Sequence, residues 1–300
     1  DLGYICEKNN IPFIAFHKEC LLMTKKQQEI SFNFFSKIFD YKASIAFVFN
    51  QTVKEILHKC NLDIKNIITA APPRLNTMNE IFSKKYEGKK KIVFFSFSPN
   101  HAVPGPMNAV NSKDNFNFDF KWKKIFFHTH IEFLKLADKY PDEIFLIKFK
   151  GKLKKFDAEA EIKKVFLEEY KKEFPKNIEV AYEEADPYEL MMQAKIFISF
   201  NSTCIIESGL LDLPILVPNF FEAKSEYKDL ALFSNYREEY EIIDDPENFF
   251  IAIEKHIISS DFRASDEIKR KRLDLFNKFL TSRYVNYLQD YEKHILKLIT

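Results

Sequence analysis

The chain has 300 residues, 46% of them hydrophobic, enough for about two domains with real cores. Its 45 basic residues against 44 acidic ones leave a formal charge of +1, so there is no electrostatic footprint for nucleic acid, and any anion is bound locally. Four cysteines (Cys6, Cys20, Cys60, Cys204) form no C-x-x-C pair and read as reduced thiols of a cytoplasmic protein, and no apolar run reaches the roughly 18 residues that span a bilayer.

Residues 1–10 carry a helical pattern and lead straight into an apolar strand at 12–16, an opening that predicts an incomplete N-terminal domain. Strands follow at 44–50 and 67–71, with a helix at 52–59 between them. Their near-continuous apolar character is that of strands covered on both faces. Past Pro72-Pro73-Arg74 the chain turns polar, and 79–91 reads as a linker. A second set begins with a strand at 91–96 and a long loop broken by Pro104-Gly105-Pro106. It continues with a helix at 122–140, a strand at 143–149, a helix at 158–174, a strand at 178–182 and a short helix at 187–193.

Residues 195–227 then give the most informative pattern: an apolar strand, a polar turn, a helix with one carboxylate, a stop at Leu213-Pro214 and a second apolar strand. A strand at 239–243, a helix at 246–259 and a charged helical pattern from 265 onward complete the chain. Alternation of this kind predicts the α/β class, as two Rossmann-like doubly wound domains facing a cleft. The expected division is 1–85 on the acceptor side, 86–262 for the nucleotide donor, and a helical segment 263–300 packing back across both.

Asn201, Ser202 and Thr203 stand where a strand gives way to a helix. They are helix-capping residue types, and the same position offers free amides to a phosphate; the two readings are compatible. Glu207 follows Thr203 by four residues and so shares its helical face. It either lies idle at the solvent edge or accepts both hydroxyls of a ribose, and the ribose is favoured. His17 and Glu19, two residues apart at the exit of a strand, are candidates for a general base, with the carboxylate expected to raise the histidine pKa. Arg74 is a surface charge in a turn or a cation offsetting a diphosphate. Ser98 and His101 fall on the loop after the strand at 91–96, at the crevice of a doubly wound sheet. His128 and His130 point apart on a helix and read as surface or packing residues.

These motifs resemble GT-B glycosyltransferases of the bacterial surface-carbohydrate type, involved in capsule and lipopolysaccharide biosynthesis and related to CDP-glycerol glycerophosphotransferase-like proteins. Ile11-Pro12 with His17-Lys18-Glu19 matches a first-domain element, and Ala71-Pro72-Pro73-Arg74 matches a domain-closing element in part. Where the family carries Lys-Pro-His-Pro, this chain reads Lys148-Phe149-Lys150-Gly151, leaving Lys148 and Lys150 as positive charge for a phosphate. The resemblance implies a nucleotide-sugar donor held by Asn201, Ser202, Thr203 and Glu207. It also implies a polysaccharide or lipid-linked glycan acceptor and transfer of a sugar or phospho-polyol. No Asp-x-Asp occurs, which favours the metal-free GT-B type, and the resemblance implies no cofactor beside the nucleotide-activated donor. Lysine runs such as 152–155 are solvated loops or a peripheral contact with anionic lipid at the inner face of the cytoplasmic membrane. Two other readings share the architecture: a nucleotide-sugar 2-epimerase, and a non-catalytic degenerate scaffold in polysaccharide assembly.

Overall fold

A computed structural model describes residues 2–17, 21–37, 42–98, 122–150, 157–259, 261–281 and 287–299. It is an α/β protein that divides into two compact units, each built on a parallel sheet. The first unit takes Asp1–Glu80 and Leu273–Thr300; the second takes Asp119–Arg272 with the strand that precedes it.

The first unit carries α1 (Leu2–Lys8), β1 (Ile14–Phe16), α2 (Lys25–Lys37), β2 (Ala43–Val48), α3 (Gln51–Lys59), β3 (Ile64–Thr69) and α4 (Leu75–Phe82). Its three strands pair in the order β1-β2-β3, with Phe16 opposite Phe47 and Ala46 opposite Ile67. Central β2 is buried on nearly every side chain, because both faces are covered. On one face Leu22, Phe34, Phe35, Val53, Ile56 and Leu57 pack around Val48 and Ile67. The other face presents Ile45, Phe47 and Ala70 to Tyr291, Ile295 and Leu298 of the last helix. The Asn50 side chain starts α3 by accepting the Val53 N–H at 3.0 Å, and Asn61, at φ 52°, takes the left-handed turn after its end. Gly3 lies so close to Lys42 that a Cβ there would stand 2.0 Å from the Lys42 carbonyl oxygen.

Two elements differ from the sequence expectation. Helix α2 forms over a stretch given no element, and α4 reaches into the start of the expected linker, because Leu75 and Met78 are buried on one side of an amphipathic helix.

The second unit continues with β4 (Lys91–Phe95), α5 (Lys123–Lys139), β5 (Phe145–Lys148), α6 (Ala158–Tyr170), β6 (Ile178–Ala181), α7 (Pro187–Met192), β7 (Ala194–Ser199), α8 (Cys204–Ser208), β8 (Ile215–Pro218), β9 (Glu241–Ile243) and α9 (Pro246–Ile258). Helix α10 (Asp266–Leu280) carries the chain from the second unit back to the first, and α11 (Tyr287–Ile299) ends it. The six strands are ordered β6-β5-β4-β7-β8-β9, all parallel. Counted within the unit, that is 3-2-1-4-5-6, the doubly wound dinucleotide-fold order. Asp186 and Asp245, each followed by proline, cap α7 and α9 through backbone N–H groups. Buried Arg272 ties α10 to the sheet by donating to the Glu239 and Leu213 carbonyls at 2.8 and 3.1 Å. Among the described residues, no helix is long and apolar enough to cross a membrane.

Candidate functional site at the carboxyl edge of the second sheet

The strand order fixes where a ligand has room. From β4 the chain winds outward through β5 and β6, then returns to lay β7 on the opposite side of β4 and winds the other way. The connections after β4 and β7 therefore leave in opposite directions, opening a crevice at their carboxyl ends. The Ser199 hydroxyl donates to the Phe95 carbonyl at 3.2 Å, locking the two strand ends together.

Three of the expected donor residues follow β7 directly. Asn201 adopts φ 47°, a left-handed conformation that asparagine tolerates better than most residues. Its carboxamide is committed within the protein: Nδ2 donates to the Leu230 carbonyl at 3.2 Å and Oδ1 accepts the Leu232 N–H at 2.8 Å. The Ser202 hydroxyl accepts the Cys204 N–H at 3.3 Å, whereas Thr203, in the capping position of α8, makes no side-chain cap bond. Both residues are half-buried.

Lys148 ends β5 and reaches the same edge, its ammonium donating to the Tyr182 carbonyl at 2.7 Å. Burial pushes its pKa down, against the upward pull of Cys204, Glu184, Asp186 and Glu183. β5 and β7 flank β4, so the strand-end lysine and the turn after β7 stand at the same edge of the sheet. Lys150 lies two residues further on and is exposed. Ser98 is buried three residues past β4, while His101 on the same loop lies outside the described residues.

Glu207 is not at the solvent edge. It is 1% exposed, and its Oε1 accepts a 3.5 Å bond from the hydroxyl of buried Tyr188 on α7.

The candidate base residues belong to the first unit. The His17 backbone N–H donates to the Phe47 carbonyl at 2.9 Å, and its ring stands 5.6 Å from that of Phe35. Burial pushes its pKa down to about 4, the reverse of the rise expected from a neighbouring carboxylate, because apolar surroundings disfavour imidazolium. Glu19 lies outside the described residues. Arg74 is half-buried after β3, its guanidinium 5.8 Å from the centre of the Phe49 ring.

The sequence reading gave no weight to Ser96 as a partner of His130. His130 Nδ1 donates to the Phe126 carbonyl at 2.7 Å, which leaves Nε2 to accept the Ser96 hydroxyl at 2.9 Å. Burial pushes the His130 pKa down to about 3, so this buried pair stays uncharged at neutral pH. His128 instead donates to the Pro246 carbonyl at 3.1 Å, and the two histidines serve separate packing contacts.

No protein-family model matches the chain, and no curated protein does. Solved structures of similar shape include HepE of Anabaena in complex with UDP and glucose, at a TM-score of 0.49 and 11% identity over 98% of this chain and 74% of that one. UDP-GlcNAc 2-epimerase from Neisseria meningitidis bound to UDP-GlcNAc aligns at 0.49 and 12%, over 98% and 72%. The wall teichoic acid polymerase TagF aligns at 0.48 and 16%, over 91% of this chain and 61% of that one. Likeness at this level carries no argument about the chemistry of this chain.

Proposed function

We propose that the chain is a cytoplasmic transferase that moves a sugar, or a related phospho-polyol, from a nucleotide-activated donor to a surface polysaccharide or lipid-linked acceptor. One observation carries the reading. The 3-2-1-4-5-6 order makes β5, β4 and β7 neighbouring parallel strands, so Lys148, Ser98 and the turn Ser202–Thr203, a cation and hydroxyls, all end or follow central strands at one edge of the sheet. That combination suits a diphosphate, since positive charge and polar donors fixed in advance offset the charge that grows on a departing nucleotide.

In this reading the bond from the transferred group to the leaving nucleotide breaks, with the electron pair leaving on a phosphate oxygen of that nucleotide. The leaving group is a nucleoside diphosphate when a sugar is transferred and a nucleoside monophosphate when a phospho-polyol is, with Lys148 as the cation that offsets the charge. The acceptor hydroxyl attacks and gives up its proton to His17 or Glu19. Burial keeps His17 neutral at physiological pH, which is the proton-accepting form. Asn201 shapes the turn through its bonds to Leu230 and Leu232.

The test is product analysis by mass spectrometry after incubation with UDP- and CDP-activated donors, with and without a polysaccharide acceptor. The proposal expects nucleotide release that depends on acceptor, lost in Lys148→Ala. A free epimer formed without acceptor, or no turnover with any donor, would contradict it.

A further inference from the structure

The switch point has two helix starts, and they are not equivalent. Helix α5 follows β4 and α8 follows β7, so both begin at the same edge of the sheet. In a doubly wound unit that holds a dinucleotide, the diphosphate sits on the first of these, the helix after the first strand.

Here that start is already occupied. The carboxylate of Glu222 accepts the Lys124 N–H at 2.8 Å with Oε1 and the Ile125 N–H at 3.1 Å with Oε2. These are the second and third residues of a 17-residue helix, the donors that a capping side chain or a bound anion would take. Glu222 is only 7% exposed, and it reaches α5 from a 3-10 turn after β8 in which Phe221 is held at φ 50°. A bulky residue in the left-handed region is uncommon and marks a turn fixed by its surroundings.

Two further features point the same way. The capping position of α5 is Trp122, fully buried, with its ring 4.9 Å from Phe200 and 5.4 Å from Tyr227. Close approach of a diphosphate to a helix start requires glycine there, and the connection from β4 to α5 contains one glycine, Gly105, in no G-x-G-x-x-G pattern.

We infer that Glu222 is a built-in occupant of the first anion position, and that it restricts the second unit to mononucleotide diphosphates held at the β7–α8 turn, excluding dinucleotides. The inference rests on the proposed function only for the premise that a nucleotide diphosphate binds at the β7–α8 turn.

Inorganic pyrophosphate and NAD serve as probes on the full chain, followed by calorimetry and by the amide resonances of Lys124 and Ile125. Glu222→Ala is expected to bind pyrophosphate about tenfold more tightly than the unaltered chain, with those two resonances moving only in the variant. Should the alanine variant fail to fold, Glu222→Gln removes the charge while keeping one acceptor, and the same two resonances decide. A folded variant with unchanged pyrophosphate affinity and stationary Lys124 and Ile125 amides would overturn the inference. So would an unaltered chain in which NAD shifts them. An unaltered chain that binds neither UDP nor CDP contradicts the transferase reading and leaves the pyrophosphate comparison intact, because that comparison uses no nucleoside.

Discussion

Both sheets end in polar residues at their carboxyl edges, and the two edges use them differently. In the first unit the protein consumes them itself. The Asn50 carboxamide donates to the Leu21 and Phe279 carbonyls while capping α3, the Thr281 hydroxyl donates to Phe49, and the Tyr291 hydroxyl donates to Ala71. In the second unit Asn201 and Lys148 also bond distant backbone, while Ser202 and Thr203 stay half-buried beside the start of α8. Strand topology says where a ligand has room. Whether the protein has already satisfied those polar groups says whether a ligand is needed there.

If Asn50, Thr281 and Tyr291 at the first edge are structural and the second edge holds the donor, substitutions should separate stability from affinity. The largest effect is expected from Tyr291→Ala. That ring lies 4.6 Å from Phe47 and 5.5 Å from Phe16, and its loss should cost about 3–5 kcal/mol in chemical denaturation, without weakening nucleotide binding by the folded fraction. A collapse of binding at constant stability would break the comparison.

His17 should give an effect of up to about 3 kcal/mol, seen in the pH dependence of stability. Its folded pKa of about 4 lies below the ordinary 6.5, so between these values the unfolded chain binds more protons. Its contribution is complete above pH 6.5 and is lost as the pH falls through 4. Replacing it with Phe should flatten that part of the denaturation profile. A profile that keeps its slope would remove the burial argument.

Next comes Asn50→Ala, expected to cost about 2 kcal/mol, since it deletes a helix cap and leaves the Leu21 and Phe279 carbonyls without that donor. Nucleotide affinity should stay unchanged.

The sequence carried the strands well where a sheet is covered on both faces. β2, β4 and β7 are nearly continuous apolar runs, and no competing pattern imitates them. It carried α2 and α4 poorly. Buried Gln27 and Ser31 blur the apolar face of α2, and α4, with Leu75 and Met78 buried, is only eight residues long and runs into the charged residues that follow it. The turn at 201–203 was legible because its residue types and position are local facts. The pairings that decide what each residue does were not. Asn201 grips backbone about thirty residues away, Tyr188 reaches Glu207 from a neighbouring helix, and Glu222 caps a helix that begins almost a hundred residues earlier. The depressed His17 pKa likewise comes from packing that no spacing encodes.

The most direct test of the account measures UDP and CDP affinity and unfolding free energy side by side in Ser202→Ala, Lys148→Ala and Asn50→Ala. The account predicts that the first two lose about tenfold in nucleotide affinity, and that Asn50→Ala loses stability alone. Nucleotide affinity that is unchanged in both Ser202→Ala and Lys148→Ala would contradict it.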